Sequence, residues 1–91
     1  MMFMAIMEGN WKDMDKLIEK YRRRIETGDA IKDLFGPIGI IGEPKIFTFF
    51  EMDNPDEIIK MVVDYAPEVT INVYLVEDAT RLIEIWQERN K

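Results

Sequence analysis

The chain contains no cysteine, no histidine and no serine. Without cysteine there is no disulfide framework, no thiolate nucleophile and no zinc ribbon or finger. Small secreted domains usually depend on such staples, so their absence fits a reducing, cytoplasmic setting. Without histidine the commonest metal ligand and the commonest general base near neutral pH are both missing. Ser–His–acid triads, Cys–His dyads and His-ligated metals are thereby excluded, and no metal or other cofactor is expected. Basic residues are also scarce beside acidic ones. Twelve Lys and Arg stand against 18 Asp and Glu, a net charge of −6 and a pI near 4.6. That balance argues against a general nucleic-acid binder, which needs cations facing phosphates. Long hydrophobic runs are lacking as well. Met1–Met7 is too short to span a membrane and has no small-residue cleavage site behind it, so it reads as a strand.

What is present is apolar. The 91 residues suffice for one domain over 1–91, and 47% of them are hydrophobic and 11% aromatic. A domain of this size buries only roughly 60–65% of its unfolded surface. Part of so much apolar surface is therefore expected to be covered by a second copy.

The order of elements follows from periodicity and caps. Met2–Glu8 is a short apolar strand. Asn10 offers an N-cap, and Trp11, Met14, Ile18, Tyr21 and Ile25 recur at three- and four-residue spacing with Leu17 beside them. That pattern predicts a helix over Trp11–Thr27, ended by Gly28. Ile31–Ile41 is extended but interrupted by Gly36, Pro37 and Gly39, which marks an edge or a bulge. Gly42-Glu43 turns into Lys45–Met52, a strongly β-prone run. Asn54-Pro55-Asp56-Glu57 starts a second helix with Ile58, Ile59, Val62, Val63 and Ala66 as its apolar face and Pro67 as its end. Val69–Val76 is a fourth strand, and Asp78 caps a last helix carrying Ala79, Leu82, Ile83 and Trp86 on one side. The fold class is thus α+β, a ferredoxin-like β-α-β-β-α-β order plus a C-terminal helix.

Alternation sorts the strands into two faces. One is fully apolar and suits the helices. The second is expected to carry Phe3, Met7, Phe47, Phe49, Tyr74 and Val76 among a few polar groups. A solvated sheet face should alternate cleanly to polar residues, and this one does not. Large apolar patches mark interfaces, so Phe3, Phe47, Phe49 and Val76 are the expected homodimer contacts, with a second sheet laid over them.

The chain also resembles an uncharacterised domain-of-unknown-function family of short proteins with the dimeric α/β-barrel fold. The similarity runs over most of the length. Its most specific part is Phe50-Glu51-Met52-Asp53-Asn54-Pro55, similar to the family's Glu-x-Asp-Asp-Pro pattern; Glu68-Val69 and Val76-Glu77-Asp78-Ala79 form a second part. The tryptophans often found in the family's second helix are replaced by residues such as Val63 and Tyr65, and the usual proline of the last strand is missing. The resemblance implies the fold and the dimer and brings no activity with it.

Four constellations bear on chemistry. Gly36-Pro37-Ile38-Gly39-Ile40-Ile41-Gly42 lacks both dinucleotide and P-loop spacing and precedes a strand, so it reads as a bulge and a hairpin turn. Lys20, Arg22, Arg23 and Arg24 complement the negative end of the first helix as a solvated face. Asp53, Asp56 and Glu57 suit the N-terminus of the second helix, which leaves Glu51 as the acid without a local explanation. The aromatics Trp11, Tyr21, Tyr65, Tyr74 and Trp86 read mainly as core or interface. The expectation for function is a homodimeric domain that binds a small ligand or a partner protein without catalysis, with Glu51, Tyr74 and Trp11 at the ligand. The alternative is a cofactor-independent monooxygenase or isomerase of the dimeric α/β-barrel type, by analogy of fold.

Overall fold

The computed structural model describes residues 1–28 and 31–90. Four strands and three helices follow in the order β1 (Met2–Glu8), α1 (Met14–Thr27), β2 (Lys32–Gly39), β3 (Lys45–Glu51), α2 (Pro55–Tyr65), β4 (Thr70–Leu75) and α3 (Ala79–Arg89). The fold is α+β. The strands form one open antiparallel sheet in the order β2-β3-β1-β4, an arrangement consistent with a ferredoxin-like fold.

The caps act as the local sequence dictates. Asn10 Oδ1 accepts the Lys12 N–H at 3.3 Å, although the first turn, Trp11–Asp13, is a 3₁₀ turn and the α-helix proper begins at Met14. Asn54 Oδ1 accepts the Asp56 N–H at 3.0 Å ahead of Pro55, and Asp78 Oδ1 accepts the Thr80 N–H at 2.8 Å. Each satisfies a donor that the first helical turn leaves without an intrahelical acceptor. The glycine-rich segment is an edge strand with two register shifts between Asp33 and Ile38, closed by a hairpin turn in which the Ile40 N–H donates to the Lys45 carbonyl at 3.0 Å.

One face of the sheet holds the core. Ala5, Phe50, Val69 and Ile71 are buried there with Ile31 and with Met61 and Tyr65 of α2. Thr48 is buried among them, its hydroxyl donating to the Phe35 carbonyl at 2.9 Å. The face of α2 therefore differs from the one expected. Ile58, Met61, Val62 and Tyr65 turn inward, whereas Ile59 and Val63 are exposed. The spacing i, i+3, i+4, i+7 selects a single stripe, and the run Ile58–Ile59 and Val62–Val63 is wider than that stripe.

The register corrects the expected face of β1. Phe3 pairs with Phe50 and Leu75, Ala5 with Thr48 and Val73, and Met7 with Ile46 and Ile71, all on the helix-covered side. Phe3 stacks on Phe50 with ring centroids 5.6 Å apart, so it lies on the opposite face from Phe47 and Phe49 and does not join them in an interface patch. The outer face is instead built from Met2, Met4 and Ile6 with Phe47, Phe49 and Tyr74. Both sides of β1 are apolar, so the alternation of that strand alone does not say which side meets the helices.

Candidate functional site

Helix α1 buries none of its residues. Leu17 alone of its side chains packs on the core, while Ile18, Tyr21 and Ile25 are exposed. The helix is held mainly by polar bonds to α2 and the loop behind it. Lys20 Nζ donates to Glu68 Oε2 at 2.5 Å and to the Ala66 carbonyl at 3.1 Å. Arg24 Nη1 donates to Asp64 Oδ2 at 2.6 Å, and its guanidinium sits 5.9 Å from the centre of the Tyr65 ring. The Lys20 bond holds the Glu68 carboxyl below the usual carboxylate range, because it stabilises the charged form.

Between α1 and the sheet lies a cavity of about 440 Å³. Leu17, Ile18, Tyr21 and Ile25 form its helical wall, and Met7, Ile46, Thr48 and Phe50 its sheet wall. Met61, Tyr65 and Val69 close the inner end, while Arg22 and Asp33 stand at its border and are both exposed. The volume falls within the range of small-molecule sites, roughly 300–1,000 Å³. Its walls are predominantly apolar. Among the described residues no buried side-chain polar atom lacks a hydrogen-bond partner.

The three ligand residues expected from sequence do not line this cavity and do not converge. Trp11 is 59% exposed in the 3₁₀ turn before α1 and borders a smaller recess with Ile40 and Pro44. Tyr74 is 48% exposed on the outer face of the sheet, opposite Met4. Glu51 is exposed at the end of β3 on that same outer face, opposite Met2 and Lys32. Of the expected interface residues, Phe47 and Phe49 share the outer face, their rings perpendicular at 6.4 Å, and Phe35 of β2 joins Phe49 at 6.2 Å. Val76 follows β4, half-buried, with its N–H donating to the Met2 carbonyl at 3.0 Å.

Charged clusters have structural partners. Asp53 accepts the Met1 ammonium at 2.9 Å, and Glu57 accepts Lys60 at 3.1 Å. Arg23 donates to Glu19 at 3.1 Å. Among the described residues no group of three or more acidic side chains is arranged to hold a metal ion, and no helix is long and apolar enough to cross a membrane.

The cavity residues escaped the sequence reading for a physical reason. A stripe such as Ile18, Tyr21 and Ile25 looks the same whether it is pressed on a sheet or stands away from it. The available signal was the width of the stripe, with Leu17 and Ile18 side by side. Compared with known protein families and with curated proteins, the chain matches none.

Proposed function

We propose that this chain is a homodimeric, non-catalytic binding module that takes a small, largely apolar molecule in the cavity under α1. On this reading the domain is ferredoxin-like and of the dimeric α/β-barrel kind, as the resemblance of its Glu51–Pro55 and Val76–Ala79 segments implies. The cavity itself carries the ligand reading: about 440 Å³, apolar walls, and one guanidinium at the border, Arg22, without an ion-pair partner among the described residues. The apolar body of the ligand sits against Phe50, Met61 and Ile18, and any anionic end faces Arg22 rather than Asp33. Binding is favoured over catalysis because the cavity's lining is mainly apolar and the Thr48 hydroxyl within it is already bonded to the Phe35 carbonyl. The outer sheet face, with Met4, Ile6, Phe47 and Phe49 at its centre, supports the dimer.

The probe for the cavity is 8-anilinonaphthalene-1-sulfonate, which joins fused aromatic rings to one sulfonate. Ile18→Trp fills the cavity from α1 and should weaken the probe's affinity by about tenfold or more, equivalent to about 1.4 kcal/mol. Phe49→Asp, on the opposite face, should leave it unchanged. Loss of probe binding in Phe49→Asp with retention in Ile18→Trp would place the apolar site on the outer face and overturn the cavity reading.

A further inference from the structure

A second recess adjoins the cavity toward the N-terminal end of α1. It holds about 190 Å³ and is bounded at its far end by Trp11, Ile40, Pro44 and Lys45. Met7, Met14, Leu17 and Ile46 line both spaces, so these four side chains form the partition between them. Met7 and Ile46 are partners across the β1–β3 pair, and Met14 and Leu17 belong to α1. Both methionines are half-buried. An unbranched thioether side chain turns about three bonds and adapts to what it touches, so the partition yields at Met7 and Met14.

The joined space follows the helix. Trp11 and Arg22 border its opposite ends, and at about 1.5 Å per residue they are separated by about 16 Å. A broad ring system stops at the partition, whereas a narrow chain can use both spaces. Carbon–carbon bonds of about 1.5 Å near tetrahedral angles advance a chain by about 1.25 Å each, so about 13 bonds cover that distance. The Trp11 end suits a methyl terminus, because the charge of Lys45 is already matched by Glu8 at 3.8 Å and Glu43 at 3.7 Å. The other end suits an anion. Arg22 has no ion-pair partner among the described residues, and a guanidinium receives a carboxylate through two parallel N–H donors. Asp33 would call for an ammonium instead, a compact and strongly hydrated charge that is costlier to bring to an apolar mouth.

We propose that the ligand is a long-chain monocarboxylate lying along α1, with its carboxylate at Arg22 and its methyl end carried past Met7 and Met14 into the recess beside Trp11. The inference rests on the cavity reading above and adds the ligand's class, its direction and a second subsite. The partition then sorts chains by length. Octanoate, at about 9 Å, ends within the cavity, and tetradecanoate, at about 16 Å, reaches Trp11. Trp11 thereby has the ligand contact expected of it from the sequence, while Glu51 and Tyr74 stay on the outer face.

The test compares octanoate with tetradecanoate, each below its critical micelle concentration, using terminally brominated forms of both and tetradecylammonium as the chain of opposite charge. Bromine quenches an indole on contact, and a Trp86→Phe background leaves Trp11 as the emitter. Brominated tetradecanoate should quench Trp11, and brominated octanoate at equal occupancy should leave it bright. In calorimetry tetradecanoate should bind at least about 100-fold more tightly than octanoate, since each added methylene removed from water strengthens binding by up to about fourfold. Ile40→Trp fills the recess from its half-exposed rim and should remove at least about tenfold of that difference. Tetradecylammonium should bind about threefold or more weakly than the carboxylate, the scale of an exposed ion pair. Equal quenching or none from the two brominated chains, or an undiminished difference in Ile40→Trp, overturns the second subsite. Tetradecylammonium binding as tightly as tetradecanoate overturns the carboxylate at Arg22. Failure of both carboxylates to displace 8-anilinonaphthalene-1-sulfonate overturns the ligand class and leaves the cavity reading standing. A sulfonate probe indifferent to Ile18→Trp removes the cavity reading itself, and this inference with it.

Discussion

At Gly36 an added methyl group would meet backbone of the neighbouring strand. Its φ is +96°, and a Cβ built there would stand 2.9 Å from the Phe47 carbonyl oxygen and 3.2 Å from both Thr48 Cα and Ile38 N. The Phe47 and Thr48 atoms belong to the neighbouring strand, which cannot retreat without opening the β2–β3 ladder. The positive φ alone costs an L-residue about 1–2 kcal/mol. The compressed contacts add a further amount of the order of 1–3 kcal/mol, the scale of overpacking in a tight site. Against this, alanine restricts the unfolded chain and returns about 0.4–1 kcal/mol. Gly36→Ala should therefore lose about 1–5 kcal/mol net. Two other glycines separate the components. Gly42 has φ +92° with nothing within 4 Å of its Cβ position, so Gly42→Ala should show the conformational cost alone, about 1 kcal/mol. Gly39 has neither a positive φ nor a neighbour within 4 Å, so Gly39→Ala should be neutral or slightly stabilising. Urea unfolding followed by circular dichroism, at one protein concentration for all variants, gives the three values. A Gly36→Ala loss no larger than that of Gly42→Ala would show that the Phe47 contact does not limit the bulge. A loss at Gly39 equal to that at Gly36 would refute the whole argument.

Two further perturbations test the core and the α1 anchor. Phe50 is fully buried, stacked on Phe3, so Phe50→Ala should cost about 3–5 kcal/mol in chemical unfolding; a loss below about 1 kcal/mol would mean that the core lies elsewhere. Glu68 has its folded pKa lowered by Lys20, so the pair's contribution is full above the ordinary Glu value of 4.5 and fades as pH falls through the lowered one. Thermal melts of wild type and Glu68→Gln should accordingly differ at pH 7 and draw together as pH falls below that ordinary value; a difference that stays constant from pH 7 down into the acid range would refute the linkage.

The sequence was most informative where a residue type has a local consequence. The Asn54-Pro55 start, the Asp78 cap and the Gly28 end each satisfy or terminate a helix within a few residues, and the structure has them in those roles. The bulge at Gly36–Pro37 was legible for the same reason, since a proline cannot donate to a ladder. Facing was harder. On β3 the alternation Ile46, Thr48, Phe50 against Phe47, Phe49 gives two apolar sets, and on β1 it does so again with Met2, Met4, Ile6 against Phe3, Ala5, Met7. Only the pairing of Phe3 with Phe50 decides which set meets the helices, and pairing is a long-range property of the fold. The positions of Glu51, Tyr74 and Trp11 were not legible for a related reason. Glu51 stood out because the helix after Asn54 does not need it, but it ends β3 and is exposed there. Aromatic neighbours in sequence do not imply a buried carboxylate when the strand stops there.

The same alternation that obscured the faces gives the proposed function its geometry. Ile46, Thr48 and Phe50 line the cavity, while Phe47 and Phe49 between them build the outer face, so one strand serves both surfaces through opposite sides of a single backbone. The two sides differ in what can yield. The outer face is a hydrogen-bonded sheet, whose side chains are fixed by register. The cavity's other wall is α1, which buries no residue and is tied by Lys20 to Glu68 and by Arg24 to Asp64. The Arg24–Asp64 pair has its carboxylate largely exposed and contributes little, so the part-buried Lys20–Glu68 pair is the stronger of the two ties. On the proposed reading a ligand of imperfect fit is therefore accommodated by displacement of α1, with the sheet and any dimer built on it left in place. On that reading the apolar surplus lies on opposite sides of one sheet, the cavity side open to a ligand and the outer side to a second sheet.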